Sequence, residues 1–202
     1  MSTLLLVRHG ETDWNCSGQI MGEKPVPLNR TGEAQARRLA TLLEGRTIGA
    51  LYSSPVARAR QTAEILAATL KVPVTTDRGL TEIGVGEWEG RYWQELADDL
   101  VRLNFYAHSL DARPPGGETL REVQERAVAT VERACTQTGS APLLLVSHAD
   151  VLRTILAHYL RLDLQRIRQI RVAHAALTAL EVRDGTAELL CVNYPTDLAA
   201  LG

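Results

Sequence analysis

The chain has 202 residues, 45% of them hydrophobic, and a formal net charge of −2 at pH 7. That is enough chain for one globular core over residues 1–202, and a pI of about 6.2 leaves no basic field for nucleic acid or an anionic lipid surface. Three cysteines without a close pair (Cys16, Cys135, Cys191) exclude a disulfide framework or a zinc cluster, and no apolar run approaches the length of a membrane span.

In chain order, Thr3–Val7 is a short continuous apolar run, as expected of a strand buried on both faces of a parallel sheet. It runs directly into Arg8, His9 and Gly10. Thr31 is positioned to cap a helix with the apolar stripe Ala36, Leu39, Ala40 and Leu43. Ala50–Ser53 reads as a third short strand. Ser54-Pro55 places a cap residue before a proline at the first helical position, opening a helix that would bury Val56, Ala59, Ala63, Leu66 and Leu70. The segment 87–117 breaks the rhythm with "EWEGRYW" and "RPPGGE", and is expected to be a helical cap over one end of the sheet. Thr119 and Glu122 form a capping box for a helix carrying Leu120, Val123, Ala127, Val131 and Ala134. Pro142–Ser147 is a second apolar strand, ending in His148, and Val151–Leu160 reads as the helix after it. Ala175–Val182 and Ala187–Val192 read as a late hairpin about Arg183-Asp184-Gly185. Strands alternating with helices indicate an α/β sandwich on a mixed sheet.

Ligands of open α/β sheets bind at the carboxyl ends of the strands. Arg8-His9, Ser53-Ser54 with Arg58 one turn on, and Ser147-His148 all fall there. Two guanidiniums and two imidazoles in one crevice make a compact site for a phosphoryl group. A histidine beside arginines stays neutral and nucleophilic, and a carboxyl group nearby could protonate a leaving oxygen. Each feature also has a structural reading. A lone strand-end histidine is more often a loop or core residue, Trp14, Trp88 and Trp93 are more often core anchors, and Arg37, Arg38 and Arg60 suit solvated helix faces. "GVGEWEG" does not fit a nucleotide-binding glycine pattern, and the five histidines lack metal-ligand spacing, so no metal or other cofactor is expected.

The ordered set of motifs resembles the histidine phosphatase superfamily, the phosphoglycerate mutase-like proteins. "LLLVRHGETDWN" is similar to its opening signature, "YSSPVARARQTAEIL" to its second arginine segment and "LTEIGVGEWEGR" to its acid segment. "PPGGETLREVQERA" and "LLLVSHADVLR" follow in the family's order. The resemblance implies a three-layer α/β/α sandwich with a mostly parallel mixed sheet and metal-independent chemistry. It makes His9 the nucleophile that becomes phosphohistidine, and Arg8, Arg58 and His148 the ligands of the phosphoryl oxygens. Glu82 becomes the general acid and then the base. It also implies substrate contacts from Asn15, Met21, Gly22 and Ala149. Ala149-Asp150 departs from the family's commoner glycine after the last histidine.

The resemblance therefore implies a phosphomonoesterase acting on a small phosphorylated metabolite, and a sequence without a basic n-region before an apolar h-region is expected to be cytoplasmic. A cofactor-dependent phosphoglycerate mutase is the alternative, and a non-catalytic phospholigand-binding protein a third reading. The short stretch between the acid segment and "PPGGE" favours hydrolysis, because an open site admits water. Trp93, Leu103, Phe105 and Tyr106 are candidates either to meet a partly apolar alcohol group or to pack the cap onto the sheet. The sequence does not fix the oligomeric state.

Overall fold

The computed structural model describes residues 2–107, 112–183 and 186–194. In chain order its elements are β1 (Ser2–Arg8), α1 (Asp13–Ser17), α2 (Arg30–Leu43), β2 (Ala50–Ser53), α3 (Ala57–Leu70) and β3 (Val74–Thr76). Then come α4 (Leu100–Ala107), α5 (Leu120–Thr138), β4 (Leu143–Ser147), α6 (Ala149–Tyr159), β5 (Leu177–Arg183) and β6 (Thr186–Tyr194). The strands form one sheet in the order β3-β2-β4-β1-β5-β6. β3, β2, β4 and β1 are mutually parallel, while β5 runs antiparallel to β1 and β6 antiparallel to β5.

The apolar runs of β1 and β4 divide between two cores. Leu4, Leu6, Leu143 and Leu145 pack with α5 and α6. Val7, Leu144 and Val146 pack with α2 and α3 on the opposite face. Successive side chains of a strand point to opposite faces, so a strand covered on both sides must be apolar at every position. The result is the three-layer α/β/α sandwich. Each fully buried leucine in it contributes about 1.5–3 kcal/mol of transfer free energy, and the register Leu4↔Leu143 through Arg8↔Ser147 sets the two strand ends side by side.

Several local features differ from the sequence reading. The cap of α2 is Asn29, whose Oδ1 accepts the Gly32 N–H at 2.8 Å, so Thr31 lies inside the first turn. Pro55 is not the first residue of α3: that helix starts at Ala57 after Val56, and Ser54 Oγ instead accepts the Val56 N–H at 3.2 Å. α1 and β3 carried no periodic signal, being five and three residues long. The capping box of α5 is present as expected, with Thr119 and Glu122 bonded reciprocally. α6 begins two residues before the expected start, and β5 and β6 form the expected hairpin, whose turn at Asp184-Gly185 lies outside the described residues. Among the described residues no helix is long and apolar enough to cross a membrane.

The 87–117 stretch contains short 3-10 turns and α4. Phe105 is 2% exposed and meets Trp88 edge-on at 5.8 Å, so it fastens the cap rather than facing solvent. Leu103 is exposed, and Tyr106 lies outside the residues whose side chains are described.

Candidate active site

Arg8 and His9 leave the carboxyl end of β1, and His148 leaves that of β4. His9 N–H donates to the Ser147 carbonyl at 2.9 Å, which ties the two ends together. The imidazole of His9 is 1% exposed, and its Nδ1 donates to the Gly10 carbonyl at 2.7 Å. That bond places the ring proton on Nδ1 and leaves the Nε2 lone pair as the nucleophilic position, an assignment resting on the hydrogen-bond network. Arg58, the second residue of α3, approaches that lone pair with its Nε–H at 3.3 Å. Its Nη1 and Nη2 donate to the carbonyls of Lys24 and Gly22 at 3.1 and 2.8 Å, so three partners fix the guanidinium.

Gly10 is required by a close approach. A Cβ there would meet the Gly32 carbonyl oxygen at 2.4 Å, because the loop after β1 lies directly on the start of α2. Gly10→Ala is expected to destabilise the protein by about 1–3 kcal/mol, since backbone rather than a flexible side chain must give way. Thermal unfolding checks this, and a melting temperature unchanged from wild type refutes it.

His148 caps the start of α6 and is fully buried. Its Nε2 lies 2.8 Å from Ser54 Oγ, the hydroxyl that already accepts from Val56. The Ser54 proton is thus free to go to His148 Nε2, which leaves Nδ1 as the donor nitrogen. That nitrogen has no hydrogen-bond partner, and the nearest carboxylate oxygen is Glu82 Oε2 at 3.9 Å. The His9 and His148 rings are 5.2 Å apart. Arg8 donates from Nη1 to the Val172 carbonyl at 2.9 Å, and its Nε is buried without a partner. Buried polar atoms that lack partners in an otherwise satisfied interior mark where a ligand would bond.

Electrostatics follow from this crowding. Burial first, then Arg58 and Arg8, holds His9 well below the usual histidine range, so it is neutral at physiological pH. Burial and the same arginines act likewise on His148. Arg8 and Arg58 are lowered by burial to about 10 and stay cationic at neutral pH. Burial, reinforced by Asp150, raises Glu82 to about 7 against the opposing pull of Arg58. Its Oε1 accepts the Ile83 N–H at 3.0 Å.

The loop that carries Glu82 is held by residues the sequence reading missed. Arg126 Nη1 donates to the carbonyls of Gly79 (2.9 Å) and Thr81 (2.7 Å), and Nη2 to that of Glu82 at 3.2 Å. Glu118 anchors Arg126 at 2.8 Å and accepts the Gly84 N–H at 2.8 Å. Arg126→Ala would strand three carbonyls. The expected cost of about 2 kcal/mol lowers the melting temperature by about 4–8 °C, with a fall in activity because Glu82 loses its support.

His174 was also missed. Its ring lies 5.8 Å from that of His9, and its Nε2 is buried without a partner. The sequence rule looked at carboxyl ends of parallel strands. β5 is antiparallel, with Leu177 paired to Val7, so the residues before β5 also reach the end of β1. The hairpin reading could have supplied this signal.

A cleft of about 200 Å³ opens beside these groups. Arg8, Asn15, Met21, Gly22, Glu82 and Asp150 line it with Trp14, Trp93 and Phe105. Asn15 is partly committed, since its Oδ1 accepts the Thr12 N–H at 3.0 Å. Ala149 does not line the cleft; the helix turn presents Asp150 there instead. Trp88 is core as expected, whereas Trp14 and Trp93 are cleft walls. Among the described residues no three His, Cys, Asp or Glu side chains converge as a metal ion would require.

The model of the histidine phosphatase superfamily (branch 1) matches residues 4–195, nearly the whole chain. The chain belongs to the histidine phosphatase superfamily. It is 32% identical over 188 residues to the probable phosphoglycerate mutase GpmB of Shigella boydii, covering 91% of this chain and 86% of that protein. Among solved structures, YhfR of Bacillus stearothermophilus superposes with a TM-score of 0.87 at 31% identity, covering 94% of this chain and 96% of that one. The α-ribazole phosphatase of Shigella flexneri does so with a TM-score of 0.86 at 27% identity, covering 95% and 96%. Members of this superfamily with phosphatase and with mutase names are thus both similar to this chain.

Proposed function

We propose that the protein is a metal-independent phosphomonoesterase that acts on a small phosphorylated metabolite through a phosphohistidine on His9. The observation that carries this reading is the neutral His9 Nε2 set against Arg58, with Arg8, His148 and a raised Glu82 around it. His9 Nε2 attacks phosphorus in line with the leaving oxygen. Arg8, Arg58 and His148 Nδ1–H hold the equatorial oxygens, and the Arg58 Nε–H moves from the His9 lone pair to the incoming phosphoryl group. The P–O bond breaks as the N–P bond forms, and Glu82 gives its proton to the departing alkoxide. A water then attacks the phosphohistidine and gives a proton to the Glu82 carboxylate, releasing inorganic phosphate and neutral His9.

Hydrolysis is favoured over transfer by the cleft lining. Arg8 is the one cationic side chain among its described lining residues, and Glu82 and Asp150 face the same space. A phosphoglycerate held for return of its phosphoryl group needs a cation for its carboxylate beyond those on the phosphate, and the lining offers a second carboxylate instead. Mutase activity remains the second reading, on the name of the GpmB relative. We expect hydrolysis of p-nitrophenyl phosphate in EDTA, inhibition by vanadate and an acid-labile phosphoprotein on rapid quench. Efficient interconversion of 3- and 2-phosphoglycerate with little phosphate release would refute hydrolysis as the main reaction. Tight phosphate binding without turnover on a phosphomonoester panel would support a binding protein instead.

A further inference from the structure

A second cleft lies across Arg8 from the first, between α2 and residues 171–176. At about 520 Å³ it is the larger of the two and has the size of an ordinary small-molecule site. One wall is the face of α2 that carries Thr31, Gln35 and Arg38, at helical spacings of four and three. Gln35 is fixed there by accepting the Glu11 N–H at 3.0 Å.

The opposite wall is preformed. Asn193 Oδ1 accepts the Ala173 N–H and its Nδ2 donates to the Arg171 carbonyl, both at 2.8 Å. Ala175 N–H donates to the Arg8 carbonyl at 2.9 Å. Ala175 and Asn193 both hold positive φ, 44° and 54°, a conformation that costs an alanine free energy. A loop strained and pinned in this way is not a chance surface contour.

The charge of the cleft is one-sided. Arg8, Arg38, Arg153 and Arg171 line it, against the single carboxylate of Glu11 among the described lining residues. Glu11 accepts from Asn29 Nδ2, and Arg153 is shared with Asp150 at 2.9 Å. Four forked guanidiniums in a chain of net charge −2 are a local exception that suits several phosphate oxygens at once. Two buried atoms without partners, Arg8 Nε and His174 Nε2, belong to residues of this lining.

We propose that this second cleft binds an oligophosphate anion, and that Arg8, which lines both clefts, couples its occupancy to the catalytic site. An anion on the far side of Arg8 shares that guanidinium with the substrate phosphate and adds like charge, so the two ligands weaken each other. Coupling of this kind is reciprocal and bounded. Substrate KM should therefore rise with oligophosphate concentration and then level off, whereas binding in the catalytic site itself raises KM without limit.

The test uses the full chain in EDTA with inorganic tripolyphosphate as the probe. Calorimetry with one equivalent of vanadate already in the catalytic site should still register one tripolyphosphate site. The double variant Arg38→Ala/Arg171→Ala, at exposed rim positions, should bind at least tenfold more weakly. It should hydrolyse p-nitrophenyl phosphate within twofold of wild type when no tripolyphosphate is present. Arg38→Lys/Arg171→Lys should restore part of the binding. ATP in a parallel arm separates a nucleotide's phosphates from a free oligophosphate as the natural source. Absence of binding beside vanadate, equal binding by the alanine variant, or an unbounded competitive rise in KM each overturns the proposal. The calorimetric arm does not depend on turnover, so it fails or succeeds separately from the phosphatase reading.

Discussion

His9→Ala is expected to lower kcat for p-nitrophenyl phosphate by at least about a thousandfold, the loss associated with removing a covalent nucleophile. The same variant should yield no acid-labile phosphoprotein on rapid quench. The effect is large because nothing else can take the role. His148 Nε2 is held against Ser54 Oγ at 2.8 Å, and the nearest carboxylate oxygen to its Nδ1 is Glu82 Oε2 at 3.9 Å, so its placement suits donation to a phosphoryl group. His174 is lowered by burial to about 3 but lines the second cleft rather than the first. The substitution should leave the fold intact, since the lost side chain makes one hydrogen bond as donor and one as acceptor at the edge of the site. A His9→Ala enzyme that keeps more than about one-tenth of wild-type kcat would remove the phosphohistidine from the mechanism.

The legible part of this protein is the part where burial dictates composition. β1 and β4 are covered on both faces, so Leu4–Val7 and Leu143–Val146 are apolar at every position and each run ends abruptly where the chain reaches the site. Arg8, His9 and His148 are visible for that reason, and Arg58 because it lies at the start of the helix that follows a strand. Glu82 has no such marker. It lies in a loop, half-hidden among glycines, and only the ordered resemblance to a family singles it out. The support of that loop was not legible at all. Arg126 sits among the charged residues of an amphipathic helix, and nothing local distinguishes a guanidinium that bonds three carbonyls from one that meets water. The cap of α2 shows a similar limit. Asn29 and Thr31 are both capping types, and only the position of the Gly32 N–H decides between them. Proline after Ser54 suggested a helix start, but the Ser54 hydroxyl is drawn to Val56 and His148 instead. His174 reaches the site through strand direction, which a residue pattern does not state.

Glu82→Gln is expected to lower kcat/KM on alkyl phosphates by about a hundred- to ten-thousandfold, the range of a lost general acid. The loss should be much smaller on p-nitrophenyl phosphate, whose phenolate leaves without a proton. The sign of the pH dependence follows from the raised pKa of Glu82. Glu82 is raised to about 7 by burial and by Asp150, and the phosphoryl-transfer step needs its protonated form. That form disappears as pH rises through about 7, so kcat/KM for an alkyl phosphate should fall by about tenfold per unit above it. His9 is already neutral across this range and contributes no limb near its ordinary value. Asp150→Asn removes a charge that raises Glu82 and should therefore move the alkaline limb to lower pH. The substrate's own ionisation is common to both enzymes, so the displacement between them isolates Glu82. An unmoved limb in Asp150→Asn, or an equal loss on alkyl and aryl phosphates in Glu82→Gln, would assign the proton to another group. Arg58 opposes the raised value, and a bound phosphate dianion beside it would offset that opposition. Substrate binding itself thus favours the protonated carboxyl that the first step requires, and departure of the alkoxide leaves the carboxylate that the second step requires.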